Sequence, residues 1–455
     1  MQNFKTIYAP ILKLAIPIMF IQLCQASLGL VDTIIAGQFH YQDLAGVGLG
    51  SNIWTPIVIL FTGILYALIP KFSAAASNQD VEQIHTLLKQ GRKNANLLAL
   101  IGFIAVQGFA FSCPLFIDDA QVAAITKQYL HFIAFGLPGL IHMVLYRFLS
   151  EGNSELQPVV LTGVTLLLVN TFLNYVFVNG LFNFPQLGGA GCGLATALSI
   201  YIALLMIQFL TTRSLPSVFT AKPAVFKNED CKALLLEGLP VGIALVLEVL
   251  ALTALAFFAS KLGTKVIAAH QVAISIAMVV FMIPVALSSA VTIRVAHCQG
   301  LQKPLITMKT GLAALKLASV YGLFMSGMIF LFSHHIVGLF SQDTEVIAII
   351  SGLVVYIAVF QLVDSVQIVA AGILRGLEEF IKPLIAVLFT YWVVVIPLSY
   401  LVGVKGWWVD QPSIETIWML LSLGLTMAAL VLGVQAYLQL SERLKAPSAD
   451  PEQVG

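Results

Sequence analysis

Three carboxylates interrupt long apolar stretches of this chain: Asp32, Glu248 and Asp364. On insertion scales an ionisable side chain at mid-bilayer costs about 2.5–3.5 kcal/mol, so such residues point to function by default. No lysine or arginine stands deep enough in the sequence to neutralise them permanently. Arg375, on the same helical face beyond Asp364, is the nearest and is expected at the membrane interface. A carboxylate without a fixed partner in low dielectric either takes up a proton or binds a cation. Either response lets cation movement be coupled to another event. The plain alternative is an acid hydrogen-bonded to a neighbouring helix for structural reasons alone.

The polar neighbours are spaced to accompany these acids. Gln25 precedes Asp32 by two helical turns and shares its face. Gln361, Asp364 and Gln367 are three apart and form one stripe, and Asn170 and Asn174 are four apart. Amides in membrane helices either line a cavity or link helices through hydrogen bonds worth about 1 kcal/mol or less each. Spacing leaves both readings open. His270 reads as a satisfied interhelical histidine ahead of a proton relay. Met278, Phe281 and Met282 read as core, or as an adaptable wall for a varied apolar ligand. The cysteines at 24, 113, 192, 231 and 298 are scattered, without a CxxC pair or a metal spacing.

The elements that must carry these residues follow from composition. Of 455 residues, 59% are hydrophobic and 10% charged, whereas a soluble domain has about 25% charged residues. So few charges cannot cover a water-facing surface, and mean hydropathy is +0.95. Net charge is +1, which gives no general attraction to nucleic acid. A membrane helix needs roughly 20 apolar residues. That rule places twelve spans near 11–36, 47–70, 94–116, 124–146, 158–179, 190–211, 235–259, 266–292, 310–333, 346–372, 381–403 and 415–438. Continuous apolar runs such as 241–258 exclude the alternation of a barrel strand. The first apolar run is too long for a signal peptide and is read as a retained helix.

With the N-terminus inside, nineteen Lys and Arg fall in the cytoplasmic segments and four, Lys127, Lys261, Lys265 and Lys405, on the other side. The positive-inside rule then puts both termini on the cytoplasmic side of the membrane. Trp407 and Trp408 beside Lys405 read as an outer interfacial anchor. The chain also repeats itself. Pro17 and Pro240 are offset by 223, and Pro158 and Pro383, like Tyr175 and Tyr400, by 225. The expected fold is therefore an all-α integral membrane protein of twelve transmembrane helices. These form two six-helix lobes, 1–222 and 223–455, related by a pseudo-two-fold along the membrane normal. They join through the polar segment 212–232, and a short cytoplasmic tail ends the second.

Several separated motifs resemble the MATE (multidrug and toxic compound extrusion) family, closest to its bacterial NorM branch. They are VDTIIAG at 31–37, NTFLNYVFV at 170–178, LGGAGCG at 187–193, AAHQV at 268–272, MIP at 282–284, and Asp364 followed by LRG at 374–376. The resemblance covers about residues 10–440. It implies two lobes in a V around a cavity that opens alternately to each side. It also implies export of organic, mostly cationic and aromatic compounds in exchange for Na⁺ or H⁺. The acids matching Glu248 and Asp364 are implicated in cation and substrate binding, and would be the metal ligands if the ion is Na⁺. The acid matching Asp32 is implicated in coupling, beside Asn170 and Asn174. Cavity candidates are Gln25, Asn170, Asn174, Phe281, Phe360 and Gln361. Some members carry Tyr where this chain has Phe281 and Phe360. Phenylalanine keeps a π face for a cation but loses the hydroxyl ligand.

The resulting expectation is a multidrug antiporter, not an enzyme, with no resident cofactor. Its partners are small organic cations, Na⁺ or H⁺ and membrane lipid, with no nucleic acid and the chain a monomer. A lipid-precursor flippase would call for an intramembrane Lys or Arg cluster to hold phosphates, and none is visible. A membrane enzyme would call for a motif such as HExxH, GxSxG or GxxxxGK, and none is present.

Overall fold

The computed structural model describes residues 4–340, 344–409 and 411–445. The C-terminal tail assigned to the cytoplasm lies outside the described residues from 446 onward. In chain order the helices are α1 (Ala9–Phe39), α2 (Tyr41–Tyr66), α3 (Leu68–Ser77), α4 (Val81–Ser112), α5 (Ala120–Ala134) and α6 (Leu137–Gly152). Next come α7 (Gln157–Asn179), α8 (Ala190–Ser214), α9 (Pro216–Thr220), α10 (Asn228–Lys261) and α11 (Thr264–Gly300). The last are α12 (Pro304–Phe340), α13 (Thr344–Gly376), α14 (Ile381–Val387), α15 (Ile396–Leu398) and α16 (Ile414–Lys445).

Among the described residues, 11 helices are long and apolar enough to cross a bilayer, or 12 if a bent pair counts as one span. That pair is α5 with α6, bent by 47°. The break falls at Phe135 and Gly136, just before Pro138, whose missing N–H and fixed φ suit the first turn of a new helix. Near Ile381–Val404 the expected span is also present, but the turns Leu388–Val395 and Ser399–Val404 are π-helical. Pro397 sits between them and can donate no backbone hydrogen bond, which favours such local widening. Several helices overrun the apolar spans read from sequence. α11 at 37 residues is about 55 Å long, against about 30 Å of hydrocarbon.

The chain divides into two compact units: 20–242, and 1–19 together with 243–455. In the first, α7 packs on α8, α5 on α2 and α8, and α6 on α4 and α8. The segment after α8 is fastened to α4. His85 Nδ1 lies 2.8 Å from the Ala221 carbonyl, Ala224 N–H donates to Thr86 Oγ1 (2.9 Å), and Asn94 Nδ2 donates to the Cys231 carbonyl (2.9 Å). In the second unit α13 is central, packed on α11, α12 and α16. Every residue from Gln367 to Gly376 is buried. Its core gathers Trp418, Tyr391, Ile357, Phe360 and Leu425. α12 instead leaves Leu323, Phe324, Phe330 and Leu331 exposed, as a lipid-facing helix does.

Glycines spaced four apart, Gly46 with Gly50 and Gly372 with Gly376, are sites of close approach. A Cβ on Gly372 would meet Ser288 of α11, one on Gly376 would meet Thr292 and Val295, and one on Gly50 would meet the Tyr129 ring. The α11–α13 seam is also tied by Thr292 Oγ1 donating to the Gly372 carbonyl (2.9 Å) and Ser288 Oγ to that of Ile368 (2.6 Å).

Candidate functional site

Each unit holds its own acidic site. In the unit 20–242, Asp32 of α1 is 7% exposed and faces the α7–α8 pair. Asn174 Nδ2 donates to Asp32 Oδ1 (2.6 Å), and Thr196 Oγ1 to Asp32 Oδ2 (3.4 Å). Asn174 Nδ2 also reaches Asn170 Oδ1 (3.0 Å), while Asn170 Nδ2 donates to Thr196 Oγ1 (3.0 Å). Positions 170 and 174 share a helical face, so one amide of α7 and one hydroxyl of α8 donate to the carboxylate while Asn170 braces both of those donors. Asn170 and Asn174 are fully buried, and Asn174 Oδ1 has no hydrogen-bond partner among the described residues. A carboxylate, two amide oxygens and a hydroxyl thus share one small volume, the all-oxygen donor set that suits a hard cation. Spacing along α7 brought out the two asparagines. Thr196 was missed, because a lone Thr in an apolar helix normally bonds its own preceding turn.

In the other unit, Asp364 of α13 is 3% exposed. Among the described residues none donates a hydrogen bond to its carboxylate. Glu248, partly buried on α10, lies within electrostatic reach of Asp364, and Tyr391 within reach of both. Tyr391 OH donates to Glu248 Oε1 (3.3 Å). On the Asp364 stripe, Gln361 Nε2 donates to the Ala277 carbonyl (3.0 Å), while Gln361 Oε1 and Gln367 Oε1 are buried without partners among the described residues. Two acids, one phenol and two unfilled amide oxygens again make an oxygen-only environment. Among the described residues no three His, Cys, Asp or Glu side chains come together. An ion held at either site would therefore draw on amide, hydroxyl or phenol oxygens beside the carboxylates.

Arg375 differs from its sequence expectation. It is 6% exposed, donates from Nη2 to Ser288 Oγ (2.8 Å), and its charge reaches Glu248. It packs into the α11–α13 seam, where small residues leave room for it. Tyr391 was also missed, since nothing in the surrounding LFTYWVVV marks one face of the helix.

The remaining candidates are placed as follows. Phe360 is 5% exposed, edge-on to Trp418 with centroids 5.9 Å apart, and belongs to the core. Phe281 is half-buried. His270 is buried, and its Nδ1 accepts from Trp418 Nε1 (3.2 Å), which supports the interhelical reading for one ring nitrogen. Gln25 is exposed and lines a cavity with Arg147, apart from the Asp32 network.

Comparison with known proteins locates this architecture. The MatE family model matches residues 17–176 and 240–401. The two matches are offset by 223 at their starts and 225 at their ends, the spacing of the proline and tyrosine repeats. The chain is 32% identical to the multidrug resistance protein NorM of Vibrio cholerae over 449 residues, 96% of each chain. It is 30% identical to the multidrug resistance protein MdtK of Proteus mirabilis over 441 residues, again 96% of each. The fold matches the eukaryotic MATE transporter AtDTX14 with TM-score 0.84 at 17% identity, over 97% of this chain and 99% of that one. It also matches a MOP superfamily transporter from Pyrococcus furiosus (TM-score 0.82, 19% identity, 96% of each), whose binding pocket of reverse polarity suggests a different function for that protein. Fold alone therefore does not fix the cargo. Family membership is nonetheless plain: with the family matched in both halves and relatives 30–32% identical along nearly the whole chain, this protein belongs to the MATE family of multi-pass membrane transporters, not to an enzyme family.

Proposed function

We propose that this protein is a secondary multidrug antiporter of a bacterial inner membrane. It would export organic, mostly cationic and aromatic compounds by alternating access, in exchange for Na⁺ or H⁺. The observation that carries the reading is the Glu248–Asp364 pair, two acids in one apolar unit beside the unfilled oxygens of Gln361 and Gln367. Two like charges in low dielectric are best satisfied when a proton or a cation joins them. A lipophilic cation attracted by the same charge is then released when the coupling ion takes its place. The two ligands need only compete for one charge or favour different conformations. Asp32 forms a second coupling point, held by Asn170, Asn174 and Thr196. Relatives about 30–32% identical and named multidrug resistance proteins support the substrate class.

The test is dye efflux from proteoliposomes with Na⁺ and pH gradients imposed separately. Ethidium efflux driven by one gradient is the expected outcome, identifying the coupling ion. Asp32→Asn, Glu248→Gln and Asp364→Asn should each abolish or sharply reduce gradient-driven efflux while the protein still reaches the membrane. Full activity in all three variants would overturn the reading.

A further inference from the structure

Among the described residues four acids are buried: Asp32, Asp43, Glu151 and Asp364. Asp32 and Asp364 belong to the two sites, and Glu151 is paired with Arg147 of its own helix. Asp43 is the one left unused. It is 7% exposed and forms no salt bridge among the described residues. Backbone compensates its charge instead. Asp43 stands in the first turn of α2, and its Oδ1 accepts from the N–H of Gly189 (2.5 Å), the residue that opens α8. Two helix starts, each with about half a positive charge, thus face one carboxylate. The approach needs glycine at both 188 and 189. A Cβ on Gly188 would come within 2.6 Å of Asp43 Oδ1 and one on Gly189 within 3.0 Å, and the φ of Gly188 is +57°, where a side chain is strained. The first two glycines of LGGAGCG are there for Asp43.

The same face of α8 continues to Asp32. Cys192 follows Gly189 by three residues and Thr196 follows Cys192 by four, the spacing of one helical face. Cys192 Sγ lies 3.9 Å from the Asp32 carbonyl, and Thr196 Oγ1 donates to Asp32 Oδ2 (3.4 Å). So α8 is tied to α2 at its start and to α1 about 10 Å further along. Sideways, α8 is held through glycine. A Cβ on Gly191 would meet the Phe177 backbone of α7, and one on Gly193 the Tyr129 backbone of α5. Glycine contacts set how closely helices approach, but they offer no knob that stops α8 sliding along its axis. The Asp43 bond supplies that stop.

We propose that Asp43 is a positioning residue for the Asp32 site. It pins the start of α8 and so sets the height at which Thr196 meets the Asp32 carboxylate. A plain helix cap would stabilise the fold and leave the response to cations alone. For its effect on transport the proposal rests on the antiport reading above; for its effect on Asp32 it does not.

The experiment measures ethidium efflux from proteoliposomes against the concentration of the driving cation. Asp43→Ala removes the acceptor, and Asp43→Asn keeps an oxygen in its place. Thr126→Val instead loses the bond from α5 to the Gly46 carbonyl of α2 (3.1 Å). Asp43→Ala should raise the half-saturating cation concentration about tenfold, the lower end for one bond to a charged group. Its maximal rate should stay within about twofold of the wild type. Asp43→Asn should stay within about threefold of the wild-type concentration and Thr126→Val within about twofold. Should Asp43→Ala fail to reach the membrane, Gly189→Ala replaces it: the added methyl crowds Asp43 Oδ1 and should raise the concentration about threefold. Carbodiimide labelling of Asp32 in detergent-purified protein, read by peptide mass spectrometry against Asp364, follows the same loosening without transport. The Asp32-to-Asp364 ratio should rise about threefold in Asp43→Ala and keep its wild-type value in Thr126→Val. An unchanged cation response and labelling ratio, a loss in Asp43→Asn equal to that in Asp43→Ala, or the same shift in Thr126→Val would overturn the proposal. Absence of gradient-driven efflux in the wild type would defeat the antiport reading, while the labelling ratio still decides the role of Asp43.

Discussion

The two acidic sites meet the same problem, negative charge in an apolar helix bundle, with different partners. Asp32 stands as one charge among neutral donors, with an amide at 2.6 Å and a hydroxyl at 3.4 Å, supplied by helices that pack tightly on each other. Glu248 and Asp364 are two charges with one phenol between them, at 3.3 Å from Glu248, and the Arg375 charge within reach. Hydrogen bonds to a charged group contribute about 1.5–3 kcal/mol each, so the Asp32 network offsets part of the cost of burying its carboxylate. The other pair needs an arriving positive charge more. On the proposed antiport mechanism this difference would divide the labour, the double-acid unit setting how strongly cations are drawn in and the Asp32 network how firmly one position is organised.

Removing charge from the needier site should have the largest effect. Asp364→Asn is expected to reduce ethidium efflux in everted vesicles to background, with unchanged protein in the membrane fraction by immunoblot. Asp32→Asn keeps the shape and part of the hydrogen bonding of its network, so a trace of efflux above background is compatible with it. If Asp364→Asn retained more activity than Asp32→Asn, the ranking of the two sites would be reversed.

Loosening a partner, with the charge kept, should have intermediate effects of different size. Asn174→Ala deletes the short contact to Asp32 and should shift the half-saturating concentration of the driving cation by about 10–100-fold, following the strength of a charge-assisted hydrogen bond. Tyr391→Phe deletes a longer contact, at 3.3 Å, and should shift it by only about five- to tenfold. Cation titrations of dye efflux on the two variants, made side by side, check the order. An effect of Tyr391→Phe exceeding that of Asn174→Ala would mean that the phenol organises its site more firmly than its bond length suggests.

Much of this was legible in the chain, for physical reasons that also mark where legibility stopped. Helices were readable because lipid demands about 20 apolar residues in a row, and Asp32, Glu248 and Asp364 stood out because that demand makes a carboxylate costly. Asn170 and Asn174 were readable as neighbours because both lie on one helix. Thr196 and Tyr391 were not, because their partners lie on other helices and their own helices are apolar all round, so no periodicity reveals which side faces inward. The burial of Arg375 escaped for a related reason. A basic residue near the end of an apolar span looks interfacial, unless a seam as tight as that of Ser288 with Gly372 is known to accompany it. The bend between α5 and α6 left only Gly136 and Pro138 as a trace, which a count of apolar residues passes over.

The smallest expected effect separates scaffold from site within the double-acid unit. Thr292 shares its hydroxyl between the Gly372 carbonyl (2.9 Å), eight residues along α13 from Asp364, and the Ser288 carbonyl of its own helix (3.0 Å), and makes no hydrogen bond to either acid among the described residues. Thr292→Val keeps the shape and loses one buried hydrogen bond, worth about 0.5–1.5 kcal/mol. The Gly372 carbonyl keeps its bond within the helix, so the cost should fall at the lower end. In a chain of this size that corresponds to a fall in Tm of about 1–3 °C, readable by thermal unfolding in detergent. Efflux and its cation dependence should stay within about twofold of the wild type. A larger shift in cation dependence, with Tm unchanged, would mean that the α11–α13 seam takes part in the ion response, and the contrast between the two sites would have to be redrawn to include it.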